Sequence, residues 1–394
     1  MNFTPTLALL LVACGGGLGE ATRTSERDSA GVRIVENRGE PAPLPWRIDT
    51  VPLVDIGGES ADSNQQLFGV TSVLRMHDGR IVVSNDGTGQ LRFFDASGRF
   101  VGATGRKGEG PGEFRNVGLL FPYQGDSLLV TDDRLRRISI FDSKGTFGRS
   151  FTIQTSAEVP FASVIGVFDD RTLLGQGGVS TGGAVPSGLQ RYDIPLYHLD
   201  GSAAPLMSLG QFPGSEMFFE ALGRGFTIHM AMFARTTRYL VGGSYFYVAA
   251  NDTYEIQRHR PDGTPDQILR WIHEPRRVTS DDMEAERARR LANARTDNAK
   301  RDAERLFNEI PHPATFPAYG TVIVDDSLNL WVGDYVPATR SPTTWTVFDS
   351  SGRMLGTIAN PQGFVPDQIG QDFLLGRWRD ELDVEHVRLY SLTR

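Results

Sequence analysis

The stretch GRIVVSNDGTGQLRFFDASGRFVGATGRKGEGPGEF, residues 79–114, contains the pattern that decides the fold. It predicts a short strand, a polar turn, a second strand that ends before Asp95, a tight turn, a third strand and a loop rich in Gly and Pro. The chain repeats this pattern in DSLLVTDDRLRRISIFDSKGTFGRSF, residues 126–151. One such unit cannot bury both of its faces, so its recurrence predicts an architecture of stacked repeats.

A turn marker recurs along the chain: an Asp, followed within one to three residues by Gly. Asp and Gly tolerate the positive φ that a hairpin turn requires. The marker Asp residues are Asp95, Asp142, Asp200, Asp262 and Asp349. They predict five units, and residues 373–390 predict a sixth that lacks its outer strand. We expect residues 46–56 to supply that strand and so close a ring without exposed sheet edges.

Three features together carry a family resemblance: the strand ends at residues 83–86 and 130–132, the Phe-Asp-x-x-Gly turns, and the Gly-rich element at residues 105–114. Through them the chain resembles the six-bladed β-propellers related to NHL repeats, over about residues 45–394. The resemblance implies an all-β, six-bladed β-propeller. We assign it to residues 32–394, with an N-terminal strand closing the last blade and one helical insertion at about residues 280–310.

Composition restricts the classes of function. The 394 residues include 44 Gly and 22 Pro, which is typical of a turn-rich β protein. The net charge of −8 is spread without a basic block, which argues against a nucleic-acid partner. The single cysteine, Cys14, excludes an intramolecular disulfide.

The N-terminus has the features of an export signal. Residues 6–13 are apolar but too short to span a bilayer, and residues 11–14, Leu-Val-Ala-Cys, resemble the bacterial lipobox. We therefore predict a signal peptide at residues 1–13, an acylated Cys14 and a flexible tether at residues 14–31. Gly15 after the cysteine resembles the outer-membrane sorting class, so the expected location is the bacterial cell envelope, with a lipid anchor in the outer membrane. Residues 1–5 carry no Lys or Arg, which leaves open a fortuitous apolar N-terminus with a free cysteine.

In a propeller, the loops that join second to third strands and those that join one blade to the next share one face, which we call the candidate face. These loops are the longer and more varied set, and function concentrates in such loops. The candidate binding residues on this face are Asp86, Asp132, Asp252, Asp334, Tyr335, His229 and Arg235. The carboxylates could hold calcium around the channel, or each could cap its own turn. We predict no other cofactor.

No catalytic constellation is visible in the sequence. The seven histidines include no pair at metal-ligand spacing, and no Gly-x-Ser-x-Gly occurs. The Gly-rich loop at residues 105–114 leads to a strand, unlike a P-loop. The favoured hypothesis is a lipid-anchored propeller that binds an envelope protein, peptide or glycan. The alternative is a lactonase-like hydrolase or a lyase with a cation in the channel, and it rests on fold analogy alone.

Overall fold

The computed structural model describes residues 23–394 except 59–61, 156–161, 179–185, 224 and 338–340. The predicted signal peptide and Cys14 therefore lie outside the described residues.

The strands of the described chain form six sheets, which we number as blades in chain order. Four strands precede the first blade: β1 (Arg23–Ser29), β2 (Val32–Arg38), β3 (Arg47–Ile48) and β4 (Val54–Gly57). Blade 1 contains β5 (Val70–Arg75), β6 (Ile81–Asn85), β7 (Gln90–Phe94) and β8 (Phe100–Thr104). Blade 2 contains β9 (Leu120–Pro122), β10 (Leu128–Asp132), β11 (Arg137–Phe141) and β12 (Phe147–Thr152). Blade 3 contains β13 (Ala162–Val167), β14 (Leu173–Gly177), β15 (Gly188–Leu199), β16 (Pro205–Leu222) and β17 (Gly225–Met230).

The second half of the ring follows the same plan. Blade 4 contains β18 (Thr237–Gly242), β19 (Tyr245–Ala250), β20 (Glu255–His259) and β21 (Pro265–Ile272), and two helices follow it, α1 (Ser280–Asn293) and α2 (Asp297–Glu309). Blade 5 contains β22 (Thr321–Val324), β23 (Leu330–Gly333), β24 (Thr344–Phe348) and β25 (Met354–Ala359). Blade 6 contains β26 (Val365–Ile369), β27 (Phe373–Arg379) and β28 (Glu385–Thr393).

The innermost strands close a ring. The strands β5, β9, β13, β18, β22 and β26 contact one another in that order, and β26 contacts β5. Adjacent blades bury an apolar cluster between them, because successive strand residues point to opposite faces. Phe93 accordingly packs toward blade 2, whereas Phe94 packs toward blade 6. The protein is a six-bladed β-propeller, as predicted.

The N-terminal strands complete two blades. The strands β3 and β4 pair with β28, so residues 46–56 supply the outer strand of blade 6 as predicted. The strand β2 pairs in parallel with β21 of blade 4, an addition that the sequence did not indicate.

The prediction of a flexible tether over residues 14–31 is wrong for residues 23–29. Residues Arg23–Ser29 form β1, which pairs with β2 in antiparallel register across a turn at Ala30 and Gly31. Both turn residues have positive φ, 56° and 82°, which gives a tight hairpin. All seven residues of β1 are polar and exposed, so the sequence shows no apolar alternation that would predict a strand.

The helical insertion consists of two helices rather than one. A capping box begins α1: the Thr279 side chain accepts a hydrogen bond from the Asp282 amide, and the Asp282 carboxylate accepts one from the Thr279 amide. The helix α1 ends at Asn293, and Thr296 caps α2 by accepting from the Ala299 amide. The break lets the two helices pack on each other.

Candidate functional site

Two large segments of the chain project from the candidate face. One is an extension of blade 3: β15 pairs with β14 only from Leu196 onward but pairs with β16 from Gly188. We call residues 188–194, 212–222 and 225–230 the blade-3 extension. The other is the helical insertion, because the connection from blade 4 to blade 5 leaves on this face.

The helical insertion packs on the blade-3 extension. Their shared apolar cluster contains Phe218 and Phe233 from the extension side and Ile310 and Leu306 from the insertion side. The Arg305 guanidinium also forms an ion pair of 2.9 Å with Glu220 of β16. Phe218, Met232 and Phe233 are buried in this cluster.

A cleft of about 690 Å³ lies between blades 4 and 5 and opens on the candidate face. We call it the blade 4–5 cleft. Its aromatic lining residues are Tyr254, Trp271, His273, Phe316 and Tyr335. Tyr254 is in edge-to-face contact with both Trp271 and His273, at centroid distances of 4.9 and 5.4 Å. The Arg276 guanidinium lies 4.0 Å above the ring of Phe316 and donates to the Tyr335 carbonyl. Such a stack combines a cation with a flat apolar surface.

Three carboxylates of the cleft, those of Glu36, Asp252 and Glu255, form ion pairs with guanidiniums. The Arg270 guanidinium lies between two carboxylates, 2.7 Å from Glu255 and 3.4 Å from Glu36. Asp252 forms an ion pair of 2.5 Å with Arg191 of the blade-3 extension. The aromatic walls of the cleft are therefore bordered by these ion pairs.

The structure brings three of the predicted residues together. Asp252, Asp334 and Tyr335 all line the blade 4–5 cleft. The Asp334 carboxylate accepts from the amides of Thr343 and Thr344 and from the Thr343 hydroxyl, so it also caps its own loop. Burial, reinforced by the charge of Glu286, raises the pKa of the Tyr335 phenol, which therefore stays protonated at neutral pH.

The other two predicted carboxylates lie in blades 1 and 2 and cap loops. Asp132 is buried and accepts from the backbone amides of Arg115 and Leu135, at 2.8 and 3.0 Å. Asp86 accepts from the Val117 amide and from the Lys107 ammonium, each at 2.9 Å. Burial alone would raise the pKa of Asp86, but these donors outweigh it and hold the pKa below its usual range.

His229 and Arg235 belong to the blade-3 extension and its return to blade 4. The His229 Nε2 lies 2.8 Å from a Glu220 carboxylate oxygen. That hydrogen bond and the charge of Arg305 lower the pKa of Glu220, and they outweigh burial, which would raise it. The Arg235 guanidinium donates to the carbonyl and hydroxyl of Thr315, next to Phe316 of the cleft. Arg235 therefore binds the segment that carries Phe316, although it does not itself line the cleft.

The carboxylates that a channel cation would require do not converge. Among the described residues, no group of three or more His, Cys, Asp or Glu side chains is placed to share a metal ion. Nor does any described helix have the length and apolar character to cross a bilayer.

The sequence identified Tyr335 but not the other aromatic residues of the cleft. Trp271 lies near the end of β21, the last strand of blade 4, whereas His273 and Phe316 lie in the long connection between blades 4 and 5. The run Arg270-Trp271-Ile272-His273, at the end of a strand and before Pro275, was the available signal.

Comparisons with known proteins agree with the fold. A family model described as a 6-bladed beta-propeller matches residues 61–119. Among solved structures, a member of the DUF4221 family from Bacteroides vulgatus superposes with a TM-score of 0.54 and 10% identity, covering 89% of this chain and 99% of that chain. A protein from Bacteroides fragilis, named as exported, superposes with a TM-score of 0.51 and 13% identity, covering 91% and 99%. No curated protein sequence matches the chain.

Proposed function

We propose that the chain is a cell-envelope β-propeller that binds a peptide segment of a partner protein in the blade 4–5 cleft. The observation that carries the proposal is the aromatic lining of the cleft beside Arg276. Aromatic and Arg side chains in a partly enclosed pocket contribute most of the binding energy in protein recognition. A volume near 690 Å³ falls within the range of ligand sites and accommodates a few side chains.

The location in the envelope is part of the proposal. The apolar run at residues 6–13 and the lipobox-like residues before Cys14 support export and acylation. A protein of the same fold from Bacteroides fragilis is named as exported. We propose that Cys14 is acylated and holds the propeller at the outer membrane. The Cys14→Ser variant should then lose its membrane fractionation.

Site-specific photo-crosslinking tests the binding site. A benzoyl-phenylalanine placed at His273 lies in the cleft, and one placed at Lys144 lies in a turn on the opposite face. We expect the His273 probe, in the envelope of the native cell, to form a discrete adduct that the Lys144 probe does not form. The Thr344→Trp substitution, which narrows the cleft, should reduce that adduct.

Three outcomes would overturn the proposal. Adduct formation of equal yield from His273 and Lys144 would show nonspecific contact. A yield unchanged by Thr344→Trp would place the partner outside the cleft. An adduct that resists protease and is removed by glycosidase would show a glycan ligand instead of a peptide.

A further inference from the structure

Three large apolar side chains are exposed along β17. Phe226, Ile228 and Met230 have 42%, 50% and 71% of their surface exposed. They alternate with Thr227 and His229, so they project from the same face of the strand. We call them the apolar stripe. Three such residues in a row on one strand are unusual for a surface that contacts only water.

The helical insertion covers the other face of this strand. Opposite residues of an antiparallel pair share a face, and Phe218 lies opposite His229 while Glu220 lies opposite Thr227. Phe218 packs on the helices and Glu220 forms an ion pair with Arg305. The apolar stripe therefore lies on the side of the blade-3 extension that faces away from the insertion.

The chain that precedes the described residues leaves on the candidate face. The strand β21 ends on this face at Ile272, and the parallel strand β2 places Arg38 beside Ile272. In the antiparallel strand β1, Arg23 lies beside Arg38. Cys14 is nine positions before Arg23, and nine residues span at most about 32 Å. A lipid on Cys14 would therefore bring the candidate face close to a bilayer.

Further exposed apolar residues lie around the same face. Phe68 and Leu382 are each 72% exposed and belong to connections of blades 1 and 6. Blade 6 lies across the six-membered ring from blade 3, which carries the apolar stripe. Exposed apolar side chains on opposite sides of the candidate face can all contact an extended lipid surface at once. A single strand of a protein partner could not reach all of them.

We infer that the candidate face docks on the surface of a lipid bilayer, with the apolar stripe inserted into the interfacial region. The inference rests on the proposed acylation of Cys14 for orientation. Acylation of Cys14 would tether the chain without orienting the propeller, whereas insertion of apolar side chains at the interface would orient it and add binding energy in proportion to the buried apolar area. The blade 4–5 cleft would then open toward the membrane and receive partner segments that lie close to it.

Fluorescence quenching in the lipidated full-length protein tests the orientation. A bimane on Met230→Cys reports the apolar stripe, and one on Lys144→Cys reports the opposite face. In vesicles of phosphatidylethanolamine and phosphatidylglycerol that contain a nitroxide-labelled lipid, we expect quenching at position 230 to exceed that at position 144 about threefold or more. Equal quenching at the two positions would overturn the inference.

A second experiment does not depend on acylation. The full-length Cys14→Ser protein is mixed with the same vesicles at high lipid concentration, and its flotation is measured. Substituting Phe226→Ser, Ile228→Ser and Met230→Ser together should reduce the bound fraction about tenfold. The matched control substitutes three exposed residues of outer strands, Val101→Ser, Leu206→Ser and Leu355→Ser, and should bind like the parent. Circular dichroism confirms that both variants are folded.

The outcomes separate the two proposals. If Cys14 is not acylated but flotation depends on the apolar stripe, only the anchor is wrong. If flotation is the same for both triple variants, the docking inference is wrong whatever the state of Cys14. If the Cys14→Ser protein is a dimer that the stripe substitutions dissociate, a second copy covers the stripe and the inference is also wrong.

Discussion

The Nδ1 of His386 lies 2.7 Å from a carboxylate oxygen of Asp55, and the other oxygen accepts from Arg388 at 2.9 Å. His386 and Arg388 lie on β28, near the end of the chain, and Asp55 lies on β4, near its beginning. The flanking residues Val54 and Ile56 point to the opposite side and are buried between blades 6 and 1. The strand β4 thus closes the ring through polar contacts on one face and apolar burial on the other.

The first prediction concerns this closure. Ile56 is fully buried, so Ile56→Ala should lower the free energy of unfolding by about 2–4 kcal/mol through lost burial and the cavity left behind. Val51 lies just before the same strand but is 72% exposed, and Val51→Ala should change the free energy by less than about 0.5 kcal/mol. Denaturant titration measures both. Equal values for the two variants would show that β4 does not carry the closure.

The second prediction separates a loop-capping carboxylate from a cleft carboxylate. Removing the buried Asp132 carboxylate leaves the Arg115 and Leu135 amides without their acceptor in a partly buried loop, so Asp132→Ala should cost about 1–3 kcal/mol. Asp252 is 41% exposed and ion-paired, so Asp252→Ala should cost about 1 kcal/mol or less. The His273 crosslink should nevertheless weaken in Asp252→Ala and persist in folded Asp132→Ala. Thermal melting beside crosslinking yield measures the contrast, and the reverse pattern would contradict our assignment of these two roles.

The sequence was informative where the structure depends on local chemistry. The Asp95 carboxylate accepts hydrogen bonds from the amides of Ser97 and Arg99. The Asp349 carboxylate accepts the equivalent bonds from the amides of Ser351 and Arg353. A turn of this kind is encoded within five residues, so its recurrence predicted the blades. Asp262 departs from the pattern, because its turn begins at Arg260.

The sequence was uninformative where distant segments meet. Arg33 of β2 pairs with Gln267 of β21, and the residues of a strand do not indicate which distant strand it will pair with. The blade 4–5 cleft likewise combines Glu36, Trp271 and Tyr335, which come from three separate parts of the chain. The sequence was sufficient to assign candidate residues to one face of the propeller. Which of these residues share a cleft depends on how two blades pack against each other.

The third prediction concerns the helical insertion. None of the six sheets contains a residue of 280–310, so replacing these residues by a short Gly/Ser linker should leave the propeller folded. It would expose Phe218 and Phe233, which Ile310 and Leu306 now cover. We expect the strand signal in circular dichroism to persist, the melting temperature to fall and a hydrophobic dye to bind. Adding Phe218→Ser should reduce the dye binding. Loss of the strand signal would mean that the insertion is part of the core.

The last prediction is a pH dependence in α1. Glu286 is buried and accepts hydrogen bonds from Arg289 and Arg290 at 2.7–2.8 Å. Its burial would raise the pKa of the carboxyl, but the two guanidiniums outweigh it and hold the pKa below its usual value. Because the pKa is lower in the folded state, the carboxylate of Glu286 contributes fully to stability above the pKa of an unperturbed Glu, about 4.3. This contribution is lost as the pH falls through the folded-state pKa.

Glu286→Gln should therefore lower the free energy of unfolding by about 1–3 kcal/mol at pH 7, and its difference from the parent should shrink as the pH falls below about 4. The control is Glu284→Gln: Glu284 is 70% exposed and pairs with Arg287 at 3.5 Å, so its loss should cost less than about 0.5 kcal/mol at either pH. Melting temperatures of the three proteins between pH 7 and pH 3 measure the effect. A Glu286→Gln deficit that stays constant over this range would show that the charge of Glu286 does not stabilise α1, because a contribution from that charge must disappear when the carboxylate is protonated.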